Sequence, residues 1–179
     1  MGALPDLVTV AQFRQLPEPG GLTYELHHGE VVAVTRPRKG HIELQMQLAD
    51  LLGPRLRRFG RVVVECPYRP IAEFEYRVAD VAAVARARWD AVDPDDDLRG
   101  APELVIEVKS PSNSPAHLRE LASLVLVHGA IQCWIVDPDQ KSVTVIHPDG
   151  TASACATGSE VPLAEFGAGA LAVDEIFAA

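Results

Sequence analysis

The stretch "ELVIEVKSPS", residues 103–112, places Glu107 and Lys109 two positions apart on an otherwise apolar run. Side chains alternate across a strand, so the carboxylate and the ammonium point to one face while Val108 points to the other. Both stand near the carboxyl end of a strand, where α/β sheets hold their ligands. The plain alternative is a partly exposed ion pair of little energetic weight. Asp80, in "RVADVAAV", shifts the balance. An unpaired carboxylate in so apolar a strand carries a heavy desolvation penalty. If that strand neighbours residues 103–109, Asp80 and Glu107 converge. Two carboxylates at one point suit a hard divalent cation, Mg²⁺ or Mn²⁺, which keeps its other positions for water and phosphate. Such an ion screens the carboxylates from each other and acidifies water. Lys109 is then placed to orient or deprotonate that water, or to stabilise charge growing on a phosphate. The chemistry is metal-assisted hydrolysis.

Other groupings are weaker. Ser110, Ser112 and Ser114 stand near His117, but no orienting acid or Gly-x-Ser-x-Gly elbow accompanies them, and a turn followed by a helix N-cap explains them better. "EPGGL" lacks the lysine and following helix of a phosphate loop. Trp89 and Trp134 read as packing residues. "WDAVDPDDDLRG", with five aspartates, does not have calcium-loop spacing and reads as a solvated, mobile connection.

The elements that must position Asp80 and Glu107 follow from periodicity. "TVAQFRQLP" predicts a short helix capped by Thr9, and "LTYELHHGEVVAVT" a hairpin turning at Gly29. Apolar residues at 44, 48, 51, 52, 56 and 59 predict a helix from His41 to Gly60, kinked or broken at Pro54. "RVVVECPYRPIA" and "FEYRVADVAAVA" read as two strands. Strand 103–109, helix "AHLRELASLVLVHG" and strand "IQCWIVDP" form a βαβ unit, so its two strands are parallel. "SVTVIHPDGTASACA" adds a hairpin and "VDEIFAA" a short final helix. The sum is an α/β fold with a mixed sheet flanked by helices and an N-terminal β-hairpin. It is expected as a single domain over residues 1–179.

Composition narrows the classes. The apolar share of 47% and charged share of 23% are those of a folded protein rather than a disordered chain. No apolar run approaches the roughly 20 residues of a membrane span. The start, "MGALPDLVTVAQF", lacks the pattern of a secretory signal. Three scattered cysteines form neither a metal knuckle nor a disulfide framework, so the cytoplasm is the expected compartment. A net charge of −9 argues against generic nucleic-acid binding, but residues 36–88 hold 11 of the 16 basic and 6 of the 25 acidic residues. "RPRKG" and "RLRRFGR" supply much of that local excess, which is otherwise read as solvated helix and loop ends.

An aspartate on one strand, a variable loop and Glu-x-Lys ending the next strand resembles the PD-(D/E)XK nuclease superfamily. More closely, the chain resembles its Uma branch of restriction endonucleases, through "YELHHGEVV", His41, "RVADVAAV", "GAPELVIEVKSPS" and "GAIQCWIVDP", spread over roughly residues 8–177. The resemblance implies a restriction-endonuclease-like fold. It implies Asp80 and Glu107 as metal ligands with the Val108 carbonyl beside them, and Lys109 as the catalytic lysine. His41 either faces the site or merely caps its helix. Glu25 and Glu30 are either further ligands or solvated strand residues, with Glu30 favoured as solvated. The pattern is also altered: Ala79 replaces the proline before the aspartate, and Leu121 stands where many members have a helix lysine. His117, Val125 and Gln132 occupy positions usually filled by aspartate, tyrosine and glutamate. The resulting helix is unusually apolar, which implies deeper burial or a subunit interface.

Three readings follow. The first is an Mg²⁺- or Mn²⁺-dependent endonuclease on nucleic acid, DNA ahead of RNA, working as a homodimer away from membranes, with its basic residues lining the cleft. The second is a catalytically inactive module of the same fold that binds or assembles. The third, a small-molecule hydrolase, requires an apolar pocket beside the site.

Overall fold

A computed structural model describes residues 7–17, 22–111 and 113–178. Its chain runs through α1 (Val10–Phe13), the hairpin β1 (Leu22–His27) and β2 (Glu30–Thr35), the long helix α2 (Lys39–Leu56), β3 (Gly60–Arg69) and β4 (Arg77–Ala85). Then come α3 (Arg86–Asp90), β5 (Leu98–Arg99), β6 (Leu104–Val108), α4 (Pro115–Val127) and β7 (Gln132–Asp137). The chain closes with β8 (Ser142–Ile146), β9 (Ala152–Ala156), β10 (Glu160–Pro162), β11 (Ala170–Ala172) and α5 (Val173–Ile176).

Seven strands form one mixed sheet in the order β5-β3-β4-β6-β7-β8-β9. The β6–α4–β7 unit is parallel, as expected, with Glu107 opposite Ile135 and Val108 opposite Val136. The β4–β6 pair is antiparallel, which makes the Asp80 and Glu107 strands direct neighbours. Alternation then sorts the core into two layers. Val81, Ala83, Leu104, Ile106 and Val108 face Leu48, Leu52 and Leu56 of α2, together with Val161 and Leu171 from the small β10–β11 sheet and Leu163 just after β10. Ala82, Val84, Val105 and Cys133 face Leu121, Ala122 and Val125 of α4. Each fully buried Leu or Val in these layers stabilises the fold by about 1.5–3 kcal/mol. Burial of the α4 face accounts for its apolar sequence, although Val127 remains 78% exposed.

Two expectations need correction. Pro54 does not break α2, which continues to Leu56; it sits in the last turn, where little helix remains to be disrupted. The aspartate-rich loop is not a free connection. Asp96 pairs with Arg14, Arg69 and Arg99, Asp97 pairs with Arg14, and Leu98–Arg99 adds an edge strand beside β3. The cations that anchor this loop lie up to 83 residues away in sequence, so local pattern could not reveal them. Thr9 caps α1 with a full capping box to Gln12. Ser114 accepts the His117 N–H to cap α4, whereas Ser112 lies outside the described residues. Trp134 is fully buried and the three cysteines are unbridged. Among the described residues, no helix is long and apolar enough to cross a membrane.

Candidate functional site

The sheet opens around Asp80. On one side the β3–β4 ladder is registered from Gly60↔Ala85 to Tyr68↔Arg77 but skips the pair Glu65–Asp80, and Glu65 adopts a positive φ of 50°. On the other side the β4–β6 ladder stops at Val81↔Ile106, one pair short of Asp80 and Glu107. Asp80 uses this opening. Its Oδ2 accepts the backbone N–H of Val108 at 2.7 Å, replacing a ladder bond. Its Oδ1 lies 2.9 Å from His41 Nε2 and accepts from Gln45 Nε2 at 2.8 Å.

α2 supplies both of those partners because His41 and Gln45 are four residues apart and share one helix face. Gln45 is almost fully buried, and its amide also donates to Glu65. Sequence reasoning missed Gln45; its signal is a polar side chain in the apolar stripe, one turn after His41. The contact with Asp80 raises the His41 pKa above its ordinary value, and burial opposes that rise.

Glu107 leaves the same opening toward the α4 layer. Its carboxylate is partly buried and forms no hydrogen bond or ion pair with any described residue. Burial raises its pKa well above the ordinary carboxylate value, and the charges of Asp80, Glu25 and Glu65 push in the same direction. Arg77 is the cation acting against this rise, but it is buried in ion pairs with Glu75 and Glu120. The charges acting on Glu107 are therefore mostly negative.

A model of the Uma2 family, described as "Putative restriction endonuclease", matches residues 10–170. The chain belongs to the Uma2 family. A crystal structure from Anabaena variabilis, described as a "putative nuclease belonging to DUF820", superposes with a TM-score of 0.80. It is 21% identical to this chain, and the match covers 95% of this chain and 97% of that one. The restriction-endonuclease-like fold is thus the one observed. No curated protein matches the sequence.

In this Uma2 chain Asp80 gathers His41, Gln45 and the Val108 N–H, Glu107 stands on the neighbouring strand within reach of the Asp80 charge, and Lys109 does not join them. Its ammonium lies 2.7 Å from Asp137 Oδ2 at the end of β7, the strand parallel to β6. Asp137 raises the Lys109 pKa and is itself held below the usual carboxylate range, first by Lys109 and also by the N–H groups of Asp139 and Gln140. Asp137 was legible only as part of "WIVDP"; its pairing needed the β6–β7 register. On the hairpin, Glu25 bonds His27 at 2.7 Å, and that ring stacks on His117 with centroids 5.9 Å apart. Glu30 is exposed at the hairpin end. Gln132 donates to Glu165 and accepts from the Trp134 indole, so it serves packing.

Among the described residues no three His, Cys, Asp or Glu side chains group closely enough to hold a metal by themselves. Mg²⁺ does not demand such a cage, because it is held by one or two carboxylates with water and substrate completing the shell. The unpartnered Glu107 carboxylate beside Asp80 fits that donor set. Cavities of about 380 Å³ and 470 Å³ lie by Arg88–Arg99 and between α2 and α5, and neither is lined by Asp80 or Glu107.

Proposed function

We propose that this chain is a divalent-metal-dependent endonuclease hydrolysing phosphodiester bonds of nucleic acid, with Asp80 and Glu107 as its centre. One observation carries the reading: Glu107 has no hydrogen-bond or ion-pair partner among the described residues, in surroundings already charged by Asp80, Glu25 and Glu65. Such an arrangement repels a phosphate until a cation neutralises it. When bound, Mg²⁺ or Mn²⁺ supplies that positive charge and acidifies water for attack. Asp80 and Glu107 hold the ion, with the Val108 carbonyl as the third protein oxygen. His41 and Gln45 fix the Asp80 carboxylate, so that its position is set before any ion arrives. Lys109, released from Asp137, stabilises charge on the cleaved phosphate. The restriction-endonuclease description of the family supports DNA over RNA. A cytoplasmic homodimer, which would present one site to each strand of a duplex, completes the proposal.

A non-catalytic module is the second reading, favoured by the Lys109–Asp137 ion pair, which holds the lysine away from Asp80. Mn²⁺ titration followed by paramagnetic resonance separates the two, comparing wild type with Glu107→Gln. Binding that is lost in the variant supports the hydrolytic site. Equal, negligible binding in both leaves the non-catalytic module.

A further inference from the structure

The basic excess of residues 36–88 is divided between the two ends of α2: Arg36, Arg38 and Lys39 stand at the His41 end. Part of it condenses at the far end of α2, where the chain turns into β3 and meets the end of β4. Arg57 and Arg58 follow the last helical turn, Arg61 stands on β3 opposite Val84, and Arg86 follows β4. The turn is tightly built. Gly60 pairs with Ala85, and a Cβ added at Gly60 would lie 1.8 Å from the Val84 carbonyl oxygen. The Arg86 N–H donates to Phe59 O at 3.1 Å, and its guanidinium donates to Arg57 O at 2.6 Å. All four side chains are exposed.

None of the four has a carboxylate partner among the described residues, nor do the scattered Arg36, Arg38 and Arg119, whereas Arg14, Arg55, Arg69, Arg77, Arg88 and Arg99 all do. Glu103, which accepts the Ala85 N–H beside Arg86, is committed to Arg88, and Glu175 near the end of α2 is committed to Arg55. The carbonyls at the α2 C-terminus favour cations, which accounts for Arg57, Arg58 and Arg86 in part. That account does not reach Arg61, which lies beyond the helix on a strand. Four unpaired guanidiniums on a rigid turn, in a chain of net charge −9, complement a regularly charged polyanion.

We propose that Arg57, Arg58, Arg61 and Arg86 anchor the phosphate backbone of duplex DNA, at the opposite end of α2 from His41. The helix sets the separation from His41 to Arg57 at about 24 Å, so this anchor is distinct from the cleavage centre. The inference rests on the reading of the chain as acting on nucleic acid and adds where the duplex is gripped.

The test is fluorescence anisotropy of a labelled 20-base-pair duplex in EDTA, titrated across a range of NaCl, with the triple variant Arg57→Gln, Arg58→Gln, Arg61→Gln. Arg86 is kept because its guanidinium closes the helix end. Arg119→Gln, an exposed arginine on α4, serves as the comparison. The log–log salt slope of binding should become shallower by about 2.7 in the triple variant, at about 0.9 for each phosphate no longer neutralised. Affinity at low salt should fall at least tenfold while the melting temperature and Mn²⁺ binding stay at wild-type values. Arg119→Gln should leave the slope in place. An unchanged slope in the triple variant overturns the anchor and leaves the metal site standing. So does a wild type that binds heparin but no duplex. A wild type that binds no Mn²⁺, yet shows a salt slope that the triple variant flattens, overturns the metal site and supports the anchor.

Discussion

The Lys109 ammonium and the Asp137 carboxylate lie 2.7 Å apart, so the lysine that follows β6 is bound across to β7 rather than inward to Asp80. Parallel pairing of Val108 with Val136 places the next residue of each strand side by side, and opposite charges there attract. The Uma2 chain therefore holds its candidate catalytic cation in a contact separate from those that fix Asp80.

Lys109→Met should lower turnover on duplex DNA by about 10²-fold or more if the lysine acts in the chemical step. Asp137→Asn, which releases the ammonium, should retain activity. Single-turnover cleavage with Mg²⁺ checks both. Equal rates for wild type and Lys109→Met would exclude a catalytic role for the lysine.

Mn²⁺ affinity should rise with pH. Burial and the Asp80 charge raise the Glu107 pKa, so the proton must leave before the carboxylate can bind an ion. Apparent affinity should climb by up to about tenfold per pH unit until that raised pKa is passed. At an ion concentration of 100 Kd the folded state gains about 2.7 kcal/mol, visible as a higher melting temperature. Flat affinity between pH 5 and 9 would contradict the assignment.

Asp96→Asn should loosen the acidic loop. The backbone N–H of Asp97 and the guanidiniums of Arg99 and Arg14 hold the Asp96 carboxyl below its ordinary range. A depressed folded pKa means stability that is complete above the unfolded value near 4 and is lost as pH falls toward the depressed value. The variant should lose about 1 kcal/mol at pH 7, since its ion pairs are partly exposed. The deficit should shrink below pH 4. Denaturant melts at pH 7 and pH 3 measure the difference.

Tyr68→Phe should leave stability unchanged or increase it. The Tyr68 hydroxyl is fully buried and has no hydrogen-bond partner among the described residues. Removing an unsatisfied buried hydroxyl relieves a penalty of about 1–3 kcal/mol. A loss of more than about 1 kcal/mol in urea unfolding would show that the hydroxyl is bonded in solution.

Periodicity and residue type alone settled the βαβ unit, the hairpins and the long helix, because alternation and helical spacing are local properties of a chain; they marked Asp80 and Glu107 as candidates, and the β4–β6 pairing made their strands neighbours. Those same local rules place Glu107 and Lys109 on one face of a strand. They hold no information on which neighbour each side chain meets. Tertiary structure decided that Gln45 and His41 both reach Asp80, because α2 crosses where two ladders open. It decided that Lys109 meets Asp137, through the β6–β7 register, and that the aspartate-rich loop is held by Arg14 and Arg69. It also moved part of the basic excess away from the cleft, to a turn fixed by Gly60 against Val84. Each of these depends on contacts between segments far apart in sequence, where Coulomb and hydrogen-bond energies are set by distance in space.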